Sequence, residues 1–217
     1  MPSARIVALA LGLAACLSGR AQELSPNQQL LAAARQGDLK SVTRLLDAGA
    51  AVDSRNRLGD TPLMIALKGA NPGIAMLAVD RGANVNLANL SRVTPLMAAS
   101  YSGSADLVKA LLAKGADRTL SDRVGKTAMV YAAGQGHAEV VALLLAAGES
   151  PKAAYENQLT ALMWAAGNGH SGTVKLLLER GADVKARDNR GKTALAMTIE
   201  GGHKETEALL RQAGAKD

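Results

Sequence analysis

A glycine recurs every 33 residues along the chain: Gly49, Gly82, Gly115, Gly148, Gly181 and Gly214. Thr61, Thr94, Thr127, Thr160 and Thr193 keep the same period, as do Gly103, Gly136, Gly169 and Gly202, with Gly37 two periods before Gly103. Three residue sets in one register describe a repeated supersecondary unit. A single unit of that size cannot bury its own apolar face, so units must stack and share a core. Composition agrees: hydrophobic residues make up 48% of the 217, but there is no Phe, one Trp and three Tyr. A core of Ala, Leu, Val and Met points to closely packed helices, and a wholly disordered or fibrous chain is excluded.

Within each unit the local grammar is constant. Thr61-Pro62-Leu63-Met64 and Thr94-Pro95-Leu96-Met97 each open a helix, with Thr as N-cap and Pro at the first helical position, where a missing N–H costs nothing. A short Ala-rich helix follows (Ala98-Ala99, Ala132-Ala133, Ala165-Ala166) and ends at Gly103, Gly136 or Gly169. A second helix carries an apolar stripe, as in Val140-Val141-Leu143-Leu144-Leu145, and Gly148 or Gly181 stops it. About a dozen polar residues then lead to the next Thr.

These residues resemble the ankyrin repeat. The match is carried by Thr-Pro-Leu-x-x-Ala, by Gly-His before the second helix (Gly136-His137, Gly169-His170, Gly202-His203) and by Gly-Ala-Asp/Asn after it (Gly82-Ala83-Asn84, Gly115-Ala116-Asp117, Gly181-Ala182-Asp183). The resemblance implies an all-α solenoid of six stacked helix-turn-helix units with hairpin-like finger loops. The units begin near Ser25, Arg57, Leu90, Arg123, Glu156 and Asn189. The domain reading is a signal peptide over 1–21, a linker over 22–29 and the repeat domain over 30–217. Unit two has Ala70-Asn71-Pro72 in place of Gly-His and is expected to be the least regular. The finger between units four and five lacks Ala-Asp after Gly148 and lacks the turn Gly in Tyr155-Glu156-Asn157-Gln158, so it is expected to differ locally.

The N-terminus reads as an export segment. Arg5 precedes an almost purely apolar run from Ile6 to Leu17, which spans only ~18 Å as a helix against a ~30 Å hydrocarbon core. Two processing sites compete. Gly19-Arg20-Ala21 presents small residues before Gln22, and Leu13-Ala14-Ala15-Cys16 resembles a bacterial lipoprotein box that would acylate Cys16. Either leaves a mature domain without a free thiol, which suits an oxidising compartment. The expected location is the periplasm, with outer-membrane anchoring or secretion as alternatives.

No constellation for catalysis stands out. His137, His170 and His203 are the only histidines, and their spacing places them on successive units ~8–10 Å apart. Three such rings cannot converge on one zinc ion at ~2 Å. A structural role at the turn before the second helix is expected, with the imidazole bonding a neighbouring loop backbone. There is no Gly-x-Ser-x-Gly elbow, no phosphate loop and no Cys–His pair in a mature chain without Cys. No enzymatic activity, cofactor or metal is expected.

What remains is a surface. By resemblance, the partner-binding positions are Arg57, Leu58, Lys68, Leu90, Arg92, Tyr101, Arg123, Val124, Tyr155, Glu156, Asn157, Asn168, Arg190 and Lys192. The expected partner is another protein, and the net charge of +6 favours one with an acidic surface. Modest charge and few aromatic platforms argue against nucleic acid, membrane contact is expected only through a lipid at Cys16, and the domain is expected to be monomeric. Alternative roles are an immunity or stabilising factor for a co-exported enzyme or toxin, and a secreted effector acting in a host. Trp164 and Tyr131 share one repeat position and are read as packing between units.

Overall fold

A computed structural model describes residues 24–216; the export segment, Cys16 and both processing sites lie outside the described residues. The described residues form twelve α-helices in six pairs: α1 (Pro26–Gln36) with α2 (Leu39–Asp47), α3 (Pro62–Lys68) with α4 (Pro72–Asp80), α5 (Pro95–Ser102) with α6 (Ala105–Ala113), α7 (Ala128–Gly134) with α8 (Ala138–Ala146), α9 (Ala161–Gly167) with α10 (Ser171–Glu179), and α11 (Ala194–Gly201) with α12 (Lys204–Gln212). The first helix starts at Pro26, directly after Ser25, where the repeat reading sets the first unit. Ser25 caps Pro26 with a reciprocal Gln28 bond, so residues 26–29 of the expected 22–29 linker are helical.

The repeated Thr does what its position requires. Thr61, Thr94, Thr127, Thr160 and Thr193 each accept a hydrogen bond from the backbone N–H three residues on. Each such cap stabilises its helix by ~1 kcal/mol. Ala66, Ala99, Ala132 and Ala165 are fully buried, which lets the first helices approach one another more closely than the second helices do. A stack with one tight row and one wide row curves toward the tight row. The first helices and the fingers therefore line the concave face. Leu144 and Leu177 are completely buried in the shared core, as the apolar stripe implied.

Unit two is more regular than its sequence suggested, since α3 and α4 match the other units in length. Its irregularity is confined to Ala70, which takes the left-handed conformation (φ +53°) that glycine holds in the other units. The finger between units four and five does depart. Its tip is a tight turn over Glu156–Gln158 with Asn157 and Gln158 both left-handed, closed by an isolated Ala154–Thr160 bridge.

Candidate partner-binding groove

The histidines latch one unit to the next. The Nε2–H groups of His137, His170 and His203 donate to the carbonyls of Tyr101, Gly134 and Gly167, at 3.0, 3.0 and 3.1 Å, in the preceding first helix. The ring also fills the space over the preceding unit's helix-ending glycine. A Cβ on Gly103 would meet the His137 ring at 2.5 Å, and Gly136 and Gly169 stand in the same relation to His170 and His203. Gly-His is therefore a motif whose two halves act on different neighbours. Unit two breaks it consistently: Ala70 carries a Cβ, and the next unit has Ser104 rather than His at the latching position.

The fingers are built from side-chain-to-backbone turns. Asn56, Asn89, Asp122 and Asp188 occupy one phase, and the Oδ1 of each accepts from the main-chain N–H two and four residues on. Adjacent tips are joined by main-chain bonds from Leu90 to Leu58, from Arg123 to Ser91 and from Asn189 to Asn157. Tyr155 replaces Asn or Asp in the odd finger and cannot make that turn. Its hydroxyl instead donates to Glu149 (2.9 Å), which stands where Ala50, Ala83, Ala116, Ala182 and Ala215 stand in the other units. Burial pushes the Glu149 carboxyl above its ordinary value, with the Tyr155 hydroxyl and the Arg118 charge acting the other way. Burial also pushes the Tyr155 phenol up.

The groove floor is apolar in the middle and ion-paired at its ends. Lys68 meets Asp60 at 2.7 Å, and four units later Lys192 meets Glu200 at 2.7 Å, at the same pair of positions with the charges exchanged. Between them Tyr101 lies half exposed (54%) with its ring edge against Tyr131, centroids 5.8 Å apart. The Tyr131 hydroxyl donates to Asp122 at 2.6 Å, and burial, then Asp122, raises its pKa. Beside Tyr101, which forms part of its wall, opens a hollow of about 380 Å³ lined also by Leu67, Val93, Met97, Ala98 and Tyr131. Further along, Lys126 Nζ lies 5.7 Å from the Tyr131 ring and 4.8 Å from the Trp164 ring. A second, more polar hollow lies by Trp164, Asn168, Arg190 and Met197.

The sequence-derived positions separate into three groups. Leu58, Leu90, Val124, Arg57, Arg92, Arg123, Glu156, Asn157 and Asn168 are exposed. Lys68, Arg190 and Lys192 are engaged within the chain, Arg190 by its own Asp188 at 3.0 Å. Tyr155 is half-buried under its finger with its hydroxyl committed to Glu149. Met97 and Tyr131 also line the hollow; Met97 repeats the position of Met64, and Tyr131 that of Trp164, one residue further along the first helix. Among the described residues no group of three or more His, Cys, Asp or Glu side chains is arranged to hold a metal, and no helix is long and apolar enough to cross a membrane.

Comparison with known proteins gives the same architecture. A family profile described as Ankyrin repeats (3 copies) matches residues 30–122 and 114–188. The crystal structure of an ankyrin repeat domain from Acinetobacter baumannii AYE is 33% identical, with a TM-score of 0.75, over 86% of this chain and 98% of that one. The ankyrin repeat protein EF0377 is 35% identical, with a TM-score of 0.77, over 87% and 99%. The ankyrin repeat domain of Bcl-3, described as a unique member of the IkappaB protein family, is 29% identical, with a TM-score of 0.74, over 87% and 86%. No curated relative matches the chain. Ankyrin repeats are protein–protein interaction modules and generally non-catalytic. With its six stacked pairs, its capping threonines and its matched glycines and histidines, the chain belongs to the ankyrin-repeat family.

Proposed function

We propose that the chain is exported to the periplasm and there binds a partner protein, as a monomer and without catalysis, through the concave groove and finger tips. The observation that carries this reading is Tyr101. It is an aromatic ring that is 54% exposed and walls an apolar hollow on the inner helices. A partner side chain entering the hollow would gain apolar burial at ~25 cal/mol per Å², and aromatic anchors dominate such interfaces. Net positive charge favours an acidic partner surface by raising the rate of encounter.

Two measurements test the reading. N-terminal sequencing of protein recovered from the periplasm is expected to begin at Gln22, or to be blocked by lipid at Cys16; a cytoplasmic protein retaining Met1 refutes export. Affinity capture from periplasmic extract is expected to yield a specific protein with the wild type and not with Tyr101→Ala. Equal capture by both refutes the groove as the site.

A further inference from the structure

The cations on the groove side are not equivalent. Lys68, Arg190 and Lys192 face Asp60, Asp188 and Glu200. Arg55 and Arg187 turn inward to donate to the carbonyls of Gly59 and Gly191 in their own fingers. Arg57, Arg92, Arg123 and Lys126 have no acidic partner among the described residues. These four occupy the first three fingers; the second finger gives Val93 to the hollow beside Tyr101, and Lys126 of the third reaches the Tyr131 ring that walls it. The last finger, whose Arg190 and Lys192 are both ion-paired, offers little positive charge to a partner.

Arg92 supplies an independent observation. It sits at the finger-tip position that Gly59, Gly125 and Gly191 hold at φ +76°, +75° and +79°, and it takes φ +62°. A non-glycine residue is disfavoured there because its Cβ crowds the following carbonyl. Its side chain is exposed and makes no hydrogen bond or ion pair among the described residues. Gln158 takes the same left-handed conformation at this position of the odd finger (φ +60°), so the tip accepts a side chain there, and at Arg92 that side chain carries its charge out to solvent.

We infer that the groove of units two to four holds an acidic peptide segment bearing one large apolar side chain. The apolar side chain fills the hollow between Val93, Met97, Tyr101 and Tyr131. Carboxylates on either side of it meet Arg92, Arg123 and Lys126. Lys126 is held ready by the Tyr131 and Trp164 rings, and displaces no internal ion pair when it binds a carboxylate. This rests on the reading of the groove as the partner site and adds the chemistry of the occupant. At about 380 Å³ the hollow has room for a Leu, Phe or Trp side chain.

The test uses the purified protein and random twelve-residue peptides displayed on phage. The expected selection is a set of peptides with several Asp or Glu residues around one Leu, Phe or Trp. A synthetic, fluorescein-labelled member is then titrated by anisotropy. Tyr101→Ala is expected to weaken it by about tenfold or more, and Arg92→Gly by about threefold to tenfold, as for a rim charge partly shielded from water. Arg190→Ala is expected to stay within about twofold of wild type. Arg92→Gly is also expected to raise the melting temperature, because it relieves the left-handed strain, so weaker binding cannot be blamed on misfolding. Selected peptides that are neutral or basic but still released by Tyr101→Ala overturn the acidic occupant and leave the groove as the site. Acidic peptides that bind Arg92→Gly as well as wild type overturn the inference. So does the absence of any selected peptide, in which case cross-linking to a folded partner decides the broader reading.

Discussion

The latch between units predicts a sharp difference between two chemically identical substitutions, Gly103→Ala and Gly202→Ala. Both glycines are left-handed at φ +71°, and both end a first helix. Both variants therefore lose ~1–2 kcal/mol to the disfavoured backbone, and both recover ~0.4–1 kcal/mol from a less flexible unfolded chain. They differ in what the new methyl group meets. At Gly202 nothing lies within 4 Å, because the described stack ends there. At Gly103 the methyl would lie 2.5 Å from the His137 ring, so the ring must leave. That breaks its 3.0 Å bond to the Tyr101 carbonyl, a further ~0.5–1.5 kcal/mol. Urea unfolding followed by circular dichroism is expected to show Gly103→Ala less stable than Gly202→Ala by about 1 kcal/mol. The chain also supplies the rescue, since Ala70 coexists with Ser104 one unit on. Adding His137→Ser to Gly103→Ala should cost less than His137→Ser does alone, with a coupling of ~0.5 kcal/mol or more. Equal costs at Gly103 and Gly202, or strict additivity in that cycle, would refute the latch.

Leu144→Ala, at a fully buried site shared by stacked second helices, is expected to cost ~2–5 kcal/mol in the same assay; a loss under ~1 kcal/mol would show that the stripe is not core. For Glu149, burial raises the native pKa above the unfolded one, so the native state favours the protonated form. Stability from this group is present below the ordinary carboxylate value and is lost as pH rises through the raised native value. Glu149→Gln stays neutral and keeps an acceptor for the Tyr155 hydroxyl. Its melting temperature should lack that decline and exceed the wild type's at pH 7, whereas parallel curves of melting temperature against pH would contradict the assignment.

Much of the architecture is legible in the sequence because the determinants are local and periodic. Thr at the N-cap, Pro at the first helical position and Gly after each helix act within one turn of chain, and repetition removes their ambiguity. The histidine latch is legible for the same reason, although the sequence does not show that each ring reaches back over the previous unit's glycine. Departures were harder to read. Glu149 and Tyr155 each stand out against the repeat, but that they depart together, one answering the other, is visible only when the finger is folded. The missing turn glycine at Gln158 is conspicuous inside an odd finger; the same absence at Arg92 is masked by an otherwise regular one. Ion pairing was least legible of all. Lys68, Arg92, Arg123, Arg190 and Lys192 look alike as finger or groove cations, and only three-dimensional placement shows which of them Asp60, Asp188 and Glu200 neutralise.

The central question for this solenoid is which of its faces meets a partner. A photo-cross-linking residue placed at Tyr101, in the concave groove, and in a separate variant at Lys175, on the exposed side of the second helix α10, tests this directly in living cells. The expected result is a discrete cross-linked protein band from position 101 that is absent from position 175. A band from 175 alone, or the same band from both positions, would place the partner elsewhere and contradict the groove as the binding surface.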